Sequence, residues 1–216
     1  MNTFKYLPSP SITMAKVYES ADVAVDPVIF TIRDGRLCVI LNVREIAPYK
    51  GRHELPGGLL LPREDPDETL RRKLKSMFNK EQIYFTQFKT FADPDRDPRG
   101  RVVSIGFIAL VPEGVSVDKS KWFDALKLPQ LAFDHARIIK DAQLYLKNNL
   151  NALIAKQFLP REFPLNRLQN VYEVVQGKKY DNRNFRKKMI SDGVVGETGK
   201  LLQHCSYRPP KLYRFA

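Results

Sequence analysis

Cysteine is scarce in this chain, with only Cys38 and Cys205 among 216 residues. The two lie far apart and lack the spacing of metal ligands, so reduced thiols in a cytoplasmic protein are the simpler interpretation, with a disulfide as the alternative. Long apolar runs are also missing. No run approaches the roughly 18 residues that a membrane span requires, and the amino terminus lacks the apolar core of a signal peptide. The sequence therefore predicts a cytoplasmic protein that does not enter a membrane.

Acidic residues are fewer than basic ones, and the deficit is unevenly distributed. The chain holds 36 Lys and Arg against 24 Asp and Glu, a net charge of +12. Residues 156–216 carry 13 basic and 5 acidic residues, which is +8, while the preceding 155 residues carry only +4. Such an imbalance is typical of a nucleic-acid-binding module attached to a nearly neutral domain.

A glycine pair opens the most informative stretch, residues 57–80, which reads GGLLLPREDPDETLRRKLKSMFNK. This stretch resembles the Nudix box, the loop–helix–loop motif of diphosphate hydrolases. Four residues stand at the spacings of that motif: Gly58, Glu64, Arg72 and Leu74. Four others replace its remaining three glutamates and its last glycine: Lys73, Ser76, Met77 and Asn79.

These replacements bear directly on metal chemistry. Nudix hydrolases hold divalent cations with several carboxylates on one helix face, and the cations neutralise the diphosphate and generate the attacking water. Ser76 and Met77 stand where the family has metal-binding glutamates, and Lys73 adds a positive charge beside them. We therefore predict no catalytic residue, no metal site and no cofactor, so that the box serves as a scaffold and a pocket. The alternative is a hydrolase that uses other carboxylates.

The segments around the box predict strands and a helix. Apolar runs on either side of Asp34–Gly35 predict a β-hairpin. Residues 83–91 and 101–112 are rich in aromatic and β-branched residues, which is typical of strands. Apolar residues recur at helical spacing over residues 134–153, and Asp134 is placed to cap that helix.

Four arginines in this part of the chain are candidates for binding a phosphorylated ligand: Arg44, Arg52, Arg99 and Arg101. Arg99 lies on a loop rich in proline and aspartate that directly precedes a strand. A guanidinium group suits a phosphate or a carboxylate because it binds two oxygens at once. The alternative is a solvated loop held by local ion pairs. His135, at the start of the predicted helix, either borders the same pocket or is a structural histidine.

The basic segment begins after two prolines in residues 158–165, the predicted domain boundary. A helix with one apolar face follows and stops at Gly177. Asp181 is then placed to cap a second helix, in which Phe185 and Met189 share one side. The opposite side is polar and basic, as in helices that read base edges in the major groove, although a merely solvated cationic face is the alternative.

Two strand-like pieces after the second helix complete the order of a winged helix, with the wing near residues 206–210. Wing residues typically contact phosphates or the minor groove. The candidate DNA-binding residues are therefore those of the second helix and the wing: Arg183, Asn184, Arg186, Lys187, Lys188, Arg208 and Lys211.

The order of these parts resembles a family of Nudix-related transcriptional regulators of bacterial NAD metabolism, which join a Nudix-like effector domain to a winged helix. The resemblance covers nearly all of the chain from about Val23 onward and is carried by AVDPVIF, ELPGG, DRDPRGRVVS, LPQLAFDH, FPLNRLQNVYEVVQGK, RNFRKK and RPPKLYRF. Members are typically dimeric repressors. Those that control NAD genes bind ADP-ribose, and relatives that control sugar catabolism use a sugar-type effector.

The resemblance implies an α+β chain with a Nudix-like α/β/α sandwich and a carboxy-terminal winged helix-turn-helix. The predicted parts are an amino-terminal arm at 1–20, an effector-binding domain at 21–155 and a DNA-binding domain at 156–216. It also implies a homodimeric repressor that binds pseudo-palindromic double-stranded DNA. Its effector would be ADP-ribose, a related nucleotide or a sugar, held by the four arginines, Gly57, Gly58 and His135. The alternatives are an active Nudix hydrolase with an appended basic domain, or a general nucleic-acid-binding protein without an effector.

Overall fold

The structure is a computed structural model that describes residues 20–78, 83–115, 122–203 and 209–216. One six-stranded sheet organises its larger part, and a separate two-stranded ribbon lies beside it. The strands up to residue 124 are β1 (Asp22–Arg33), β2 (Arg36–Ile40), β3 (Asn42–Val43), β4 (His53–Glu54), β5 (Gly58–Leu59), β6 (Tyr84–Phe91), β7 (Val102–Leu110) and β8 (Trp122–Asp124). The sheet order is β6–β7–β1–β2–β8, with β5 paired to β1, and β3 pairs with β4.

Strand β1 lies at the centre of this sheet. It runs parallel to β7, from Asp22 opposite Val102 onward, and antiparallel to β2. The turn between β1 and β2 consists of Asp34 and Gly35, whose φ angles are 48° and 69°. Positive φ at both central residues is what a two-residue hairpin turn requires, and Asp-Gly is among the sequences that adopt it. The predicted hairpin is therefore confirmed.

Two helices cover the two faces of the sheet: α1 (Pro66–Phe78) and α2 (His135–Asn149). Successive side chains of a strand point to opposite faces, so the apolar β1 sequence is buried on both. Ile29 packs in one core cluster with residues of α1, and Phe30 packs in the other with residues of α2. The result is the α/β/α sandwich that was predicted.

Helix α1 begins with a reciprocal pair of hydrogen bonds. The Glu68 amide donates to the Asp65 carboxylate at 2.7 Å, and the Asp65 amide donates to the Glu68 carboxylate at 2.9 Å. This arrangement is a capping box, which satisfies amides that the first turn of a helix leaves without partners. Glu68, one of the two glutamates in the Nudix-like stretch, is thus engaged in holding the helix end.

Helix α2 differs from its prediction at both ends. Asp134 makes no capping hydrogen bond, because its carboxylate is bound to Arg96 instead. The helix ends at Asn149 rather than continuing to Leu153, and Asn151 caps a separate short helix, α3 (Ala152–Ala155), by accepting from the Ile154 amide at 3.0 Å. A side chain that competes for backbone amides breaks a helix that apolar spacing alone would continue.

The carboxy-terminal part is a winged helix. Its elements are β9 (Phe163–Pro164), α4 (Leu165–Gln176), α5 (Asn182–Ser191), β10 (Val195–Leu201) and β11 (Lys211–Phe215), and its strands pair in the order β10–β11–β9. Gly177 ends α4 in the left-handed conformation with φ at 69°. Asp181 caps α5 by accepting from the Asn184 amide at 2.9 Å. Both helix-end predictions are confirmed.

Apolar packing joins the sandwich to the winged helix. The core cluster that contains α2 continues through α3 and a 3₁₀ turn at Lys156–Phe158 to Phe163 and the buried faces of α4 and α5. The domain limits at 20/21 and 155/156 stay predictions. Among the described residues, no helix is long and apolar enough to cross a membrane.

Candidate ligand cavity and nucleic-acid interface

A cavity of about 250 Å³ lies where β1, β4, β5, the loop at residues 96–99 and the start of α2 converge. Five of the seven predicted ligand-binding residues line it: Arg44, Gly57, Gly58, Arg99 and His135. The other two, Arg52 and Arg101, do not. The cavity also contains charged and aromatic residues that the sequence analysis did not select: Asp26, Glu54, Arg96, Asp97 and Phe133.

Gly57 lies so close to β1 that no side chain fits there. A Cβ atom on Gly57 would meet the Asp26 carboxylate at 2.1 Å and the Val25 carbonyl at 2.6 Å. Because real Cβ atoms are not found at such distances, the residue has to be glycine. The glycine pair therefore brings the backbone of the Nudix-like stretch against β1, and it forms one wall of the cavity.

A buried ion network forms another wall. The Arg96 guanidinium donates to both carboxylate oxygens of Asp134, at 2.7 and 3.1 Å, and to Asp26 at 3.2 Å. The Ser104 hydroxyl also donates to Asp26. Burial acts to lower the pKa of Arg96, but the two carboxylates outweigh it and raise the pKa above its ordinary value. Arg96 therefore stays charged and holds the loop at residues 96–99 against β1.

Two further guanidinium groups cover one aromatic ring. Arg44 donates to Glu54 at 2.8 Å, and Arg99 donates to both oxygens of Asp97, at 2.6 and 3.0 Å. The guanidinium carbons of Arg44 and Arg99 lie 4.8 and 5.4 Å from the centre of the Phe133 ring. Arginine stacks favourably on aromatic faces, so the ring and the two ion pairs fix both guanidinium groups at the cavity.

Phe133 has an uncommon backbone conformation, with φ at 51°. A bulky residue in the left-handed region costs about 1–3 kcal/mol and is retained only where the surrounding structure fixes it. Tyr49, at φ 66°, packs edge-to-face on Phe133 with the ring centres 5.0 Å apart. Phe133 lies in the family-like segment LPQLAFDH, but nothing in that segment marks it as a cavity residue, because an aromatic residue before a helix is usually part of a core.

His135 faces the cavity but is committed to the fold. Its Nδ1 accepts from the Leu55 amide at 2.9 Å, and its Nε2 lies 3.7 Å from the Asp26 carboxylate. Burial lowers the pKa of His135 below its ordinary value, although the nearby carboxylates oppose this effect. The ring is therefore neutral near pH 7, with the proton on Nε2. The structure combines the two sequence interpretations, a pocket residue and a structural histidine.

Arg52 and Arg101 lie beyond the cavity wall. The Arg52 guanidinium carbon is 5.0 Å from the centre of the Tyr49 ring, so one aromatic layer separates it from Phe133. Arg101 directly precedes β7, and its carbonyl accepts from the Asp22 amide at 3.0 Å. Their roles as ligand contacts stay predictions.

Two charged residues of the Nudix-like stretch, Glu64 and Lys73, are each held by hydrogen bonds. The Glu64 carboxylate accepts from Arg72 through two hydrogen bonds of 2.7 Å and from the Thr69 hydroxyl at 2.8 Å. The hydrogen bond from Arg72 contributes most to lowering the pKa of Glu64 from 4.5 to about 2. Lys73 donates to the Gly57 carbonyl at 2.6 Å. Among the described residues, which exclude Asn79, no three metal-ligating side chains converge. Ser76 and Met77, on the same helix, offer no carboxylate for a divalent cation.

Helix α5 presents a basic surface. Phe185 and Met189 are buried against the rest of the winged helix, as predicted. Five of the candidate DNA-binding residues are exposed on the rest of the helix surface, with Arg183 and Lys187 opposite the buried side: Arg183, Asn184, Arg186, Lys187 and Lys188. Because α5 is the second helix of a helix–turn–helix, this exposed side has the position of a recognition helix.

An acidic residue links α5 to the wing strands. Glu197, on β10, accepts from Lys211 at 2.7 Å and from the Tyr213 hydroxyl at 3.1 Å, and it lies 3.7 Å from Arg186. Two of the candidate DNA-binding cations therefore share one carboxylate, which the sequence analysis did not foresee. Arg208, another candidate, lies outside the described residues.

Comparisons with known proteins agree with this architecture. A family model described as the NrtR DNA-binding winged helix domain matches residues 155–215. The chain is 33% identical over 211 residues to the ADPR responsive transcriptional repressor NtrR of Acinetobacter baylyi, covering 92% of this chain and 84% of that protein. It is 36% identical over 131 residues to an ADP-ribose pyrophosphatase of Methanocaldococcus jannaschii, covering 58% of this chain and 75% of that enzyme.

Solved structures of Shewanella oneidensis NrtR are similar as well. The structure of that protein complexed with a 27mer DNA has 31% identity and a TM-score of 0.78, covering 90% of this chain and 93% of that one. The structure of its NUDIX domain complexed with ADP ribose has 30% identity and a TM-score of 0.50, covering 61% of this chain and 92% of that one.

The fold thus defines a Nudix-like protein with a carboxy-terminal winged helix, which confirms the predicted fold class. Within that class, the chain belongs to the NrtR family. The family resemblance read from the ordered sequence segments is confirmed.

Proposed function

We propose that this protein is a sequence-specific transcriptional repressor that binds operator DNA through its winged helix and ADP-ribose through the cavity in its Nudix-like sandwich. One observation carries the proposal. A single chain combines an arginine-lined cavity with an exposed basic helix, over a length that aligns with an ADPR responsive transcriptional repressor. Control of NAD-metabolism genes and action in the cytoplasm, where chromosomal DNA is found, belong to the same proposal.

The α5 surface supports the DNA-binding part. Arginine and asparagine can each form two hydrogen bonds to a single base edge, arginine to guanine and asparagine to adenine. Arg183 and Asn184 lie exposed in the first turn of α5, the end that enters the major groove in helix–turn–helix proteins. One winged helix offers a small contact area, so we propose a two-fold dimer on a pseudo-palindrome with half-sites about one helical turn, or a multiple, apart.

The cavity supports the ligand-binding part. Arginine side chains favour phosphate oxygens, and Arg44 and Arg99 are held at the cavity by Phe133 and by their carboxylate partners. The carboxylates of Glu54 and Asp97 also line the cavity, and they can accept hydrogen bonds from ribose hydroxyls. A ligand that combines a diphosphate with ribose offers both kinds of group.

A titration tests the proposal as a whole. Operator DNA is titrated with the protein with and without ADP-ribose, and ADP-ribose is titrated with and without operator. We expect ADP-ribose to weaken DNA binding about tenfold, and operator to weaken ADP-ribose binding by the same factor, because coupling between sites is reciprocal. Binding of ADP-ribose with no change in DNA affinity would contradict the regulatory role. Binding of a sugar but not ADP-ribose would contradict the assigned effector.

Hydrolysis of ADP-ribose is the second candidate function, because the aligned archaeal relative is a pyrophosphatase. We propose that this chain is not a hydrolase, since Ser76 and Met77 are not carboxylates and Glu64 is engaged by Arg72 and Thr69. Incubation with ADP-ribose and magnesium or manganese is expected to yield no appreciable AMP. A turnover number on the order of 1 per second or more would contradict this. Loss of such turnover in Glu64→Gln would then assign the chemistry to that carboxylate.

A further inference from the structure

Lys73 lies against the glycine wall of the ligand cavity. Its ammonium donates to the Gly57 carbonyl at 2.6 Å, and a Cβ atom placed on Gly58 would lie only 2.7 Å from it. Both glycines line the cavity. A lysine ammonium has three N–H donors, and the Gly57 carbonyl takes one of them. Lys73 is not itself a lining residue, but its ammonium contacts the two glycines that line the cavity and has donors to spare, at a position where the Nudix box has a glutamate.

The side chains that line the cavity carry equal numbers of negative and positive charges, and Lys73 is not among them. Three carboxylates line it, those of Asp26, Glu54 and Asp97, and three guanidinium groups do so as well, those of Arg44, Arg96 and Arg99. Each guanidinium is bound to one of these carboxylates. His135 is neutral, as argued above. A diphosphate carries about two negative charges, so a wall without net charge leaves this charge uncompensated once it is out of water.

Lys73 offers a positive charge in addition to the paired charges of the cavity wall. No carboxylate of the described residues forms an ion pair with it, whereas the nearby Glu64 is paired with Arg72. Burial lowers the pKa of Lys73, the Arg72 charge lowers it further, and the carboxylates of Asp26, Glu54 and Glu64 act in the opposite direction. A half-buried cation that contacts the glycine wall of a polar cavity, and that pairs with no described carboxylate, is placed to bind an anion at that wall.

We propose that the Lys73 ammonium binds the diphosphate of the ligand and supplies the positive charge for which Nudix hydrolases use divalent cations. This inference rests on the proposed function, because it presumes that a diphosphate-containing ligand such as ADP-ribose enters the cavity. It also accounts for Ser76 and Met77, which offer no carboxylate to a metal ion. With Lys73 where the Nudix box has a glutamate, one substitution replaces a negative charge by a positive one.

Calorimetric titration of ADP-ribose into the full chain, in buffer containing EDTA, tests the assignment. The variants are Lys73→Gln, which keeps an N–H donor for Gly57 but removes the charge, and Lys73→Met, which removes both. Lys140→Gln on the exposed side of α2 removes the same charge away from the cavity and serves as the control. We expect Kd to rise about tenfold or more in both Lys73 variants, since a hydrogen bond to a charged group is at stake, and to stay unchanged in the control.

The following results would contradict the assignment. Unchanged affinity in both Lys73 variants overturns it and leaves the proposed function standing. Weakening by Lys73→Met but not by Lys73→Gln assigns Lys73 to holding Gly57 and not to binding phosphate.

If either variant gives no cooperative thermal unfolding transition, ADP-ribose binding by the unaltered protein is measured in EDTA and after addition of magnesium. If its binding of ADP-ribose is lost in EDTA and restored by magnesium, a metal and not Lys73 supplies the charge. No binding of ADP-ribose by the unaltered protein would overturn the proposed function, and this assignment with it.

Discussion

The side chain of Gln176 donates a hydrogen bond of 2.9 Å to the main-chain carbonyl of Lys147. Gln176 is the last residue of α4 in the winged helix, and Lys147 lies in the last turn of α2 in the sandwich. The other end of α2 is His135, whose ring faces the cavity. One helix therefore connects the ligand cavity to the first helix of the winged helix, and this hydrogen bond lies at the junction.

We predict that Gln176→Ala weakens the coupling between ligand and DNA while leaving each affinity nearly unchanged when measured alone. The reason is that Gln176 contacts neither the cavity nor the exposed side of α5. In the unaltered protein we expect a coupling of about 1.4 kcal/mol, which is a tenfold change in affinity. Operator titrations with and without ADP-ribose measure how much of this factor the variant retains.

Gln157→Ala is the matched control for this experiment. Gln157 donates a side-chain hydrogen bond of the same length, 2.9 Å, to the Leu153 carbonyl, but both residues lie in the connecting segment. The coupling should survive in this variant. If both variants reduce the coupling equally, or neither does, then the Gln176–Lys147 contact does not transmit it.

Arg96→Met is predicted to destabilise the fold strongly. It leaves the buried Asp26 and the largely buried Asp134 without their cation, and removing one partner from a buried ion pair costs about 3–5 kcal/mol. Arg36→Met is the comparison, because Arg36 is 62% exposed and lies 3.9 Å from Asp124, where the loss should stay below about 1 kcal/mol. Urea denaturation measures both free energies of unfolding. Equal losses would contradict the structural role of Arg96.

Glu173 should make the stability of the winged helix depend on pH. Its carboxylate accepts from Gln169, Lys179 and the Tyr180 amide, and these bonds, that from Gln169 foremost, lower its pKa from 4.5 to about 2. A carboxylate whose pKa is lowered by folding stabilises the fold above the unfolded pKa, and this contribution disappears as pH falls through the folded pKa. The difference in free energy of unfolding between the unaltered protein and Glu173→Gln should therefore be largest above about pH 5 and vanish towards pH 2. Urea denaturation across this range measures it, and a difference independent of pH would contradict the argument.

The fold was largely predictable because its signals are local. The Asp34–Gly35 turn, the Gly177 stop and the Asp181 cap each depend on the conformational preferences of one or two residues, and the structure has all three. The extent of α2 was not predictable in the same way. Apolar spacing continues past Asn149, whereas the competing cap at Asn151 interrupts the helix.

The cavity was only partly predictable, since its charges are arranged by long-range contacts. The Nudix-like stretch located Gly57 and Gly58, which line the cavity. Asp26 lies within an apolar run and reads as an ordinary strand residue, yet Arg96, 70 residues away, binds it. The same arginine draws Asp134 away from the helix cap that its sequence position favours. Local patterns carry no information about which of several arginines meets which carboxylate.

Arg183→Ala is predicted to reduce binding to particular base pairs. If Arg183 reads a base edge, its loss should cost about 1–3 kcal/mol at the cognate position and relax the preference there. Lys187→Ala, one helical turn further along the exposed side, is the comparison. If Lys187 contacts a phosphate, its loss should weaken all sequences alike and reduce the salt dependence by about one unit of slope. Identical behaviour of both variants on cognate and random DNA would rule out α5 as the recognition helix.

Glu197→Gln is predicted to tighten binding to all DNA sequences. Glu197 binds Lys211 at 2.7 Å and lies 3.7 Å from Arg186, so its negative charge occupies two cations beside the DNA-binding surface. Removing that charge makes both cations available to phosphates, which should strengthen binding at low salt and steepen its decline as salt rises. Asp141→Asn, which loses an equal charge from an ion pair with Lys89 on the sandwich, should change neither. Binding isotherms on random duplex DNA at several salt concentrations distinguish the two, and unchanged binding by Glu197→Gln would mean that Arg186 and Lys211 do not contact the DNA backbone.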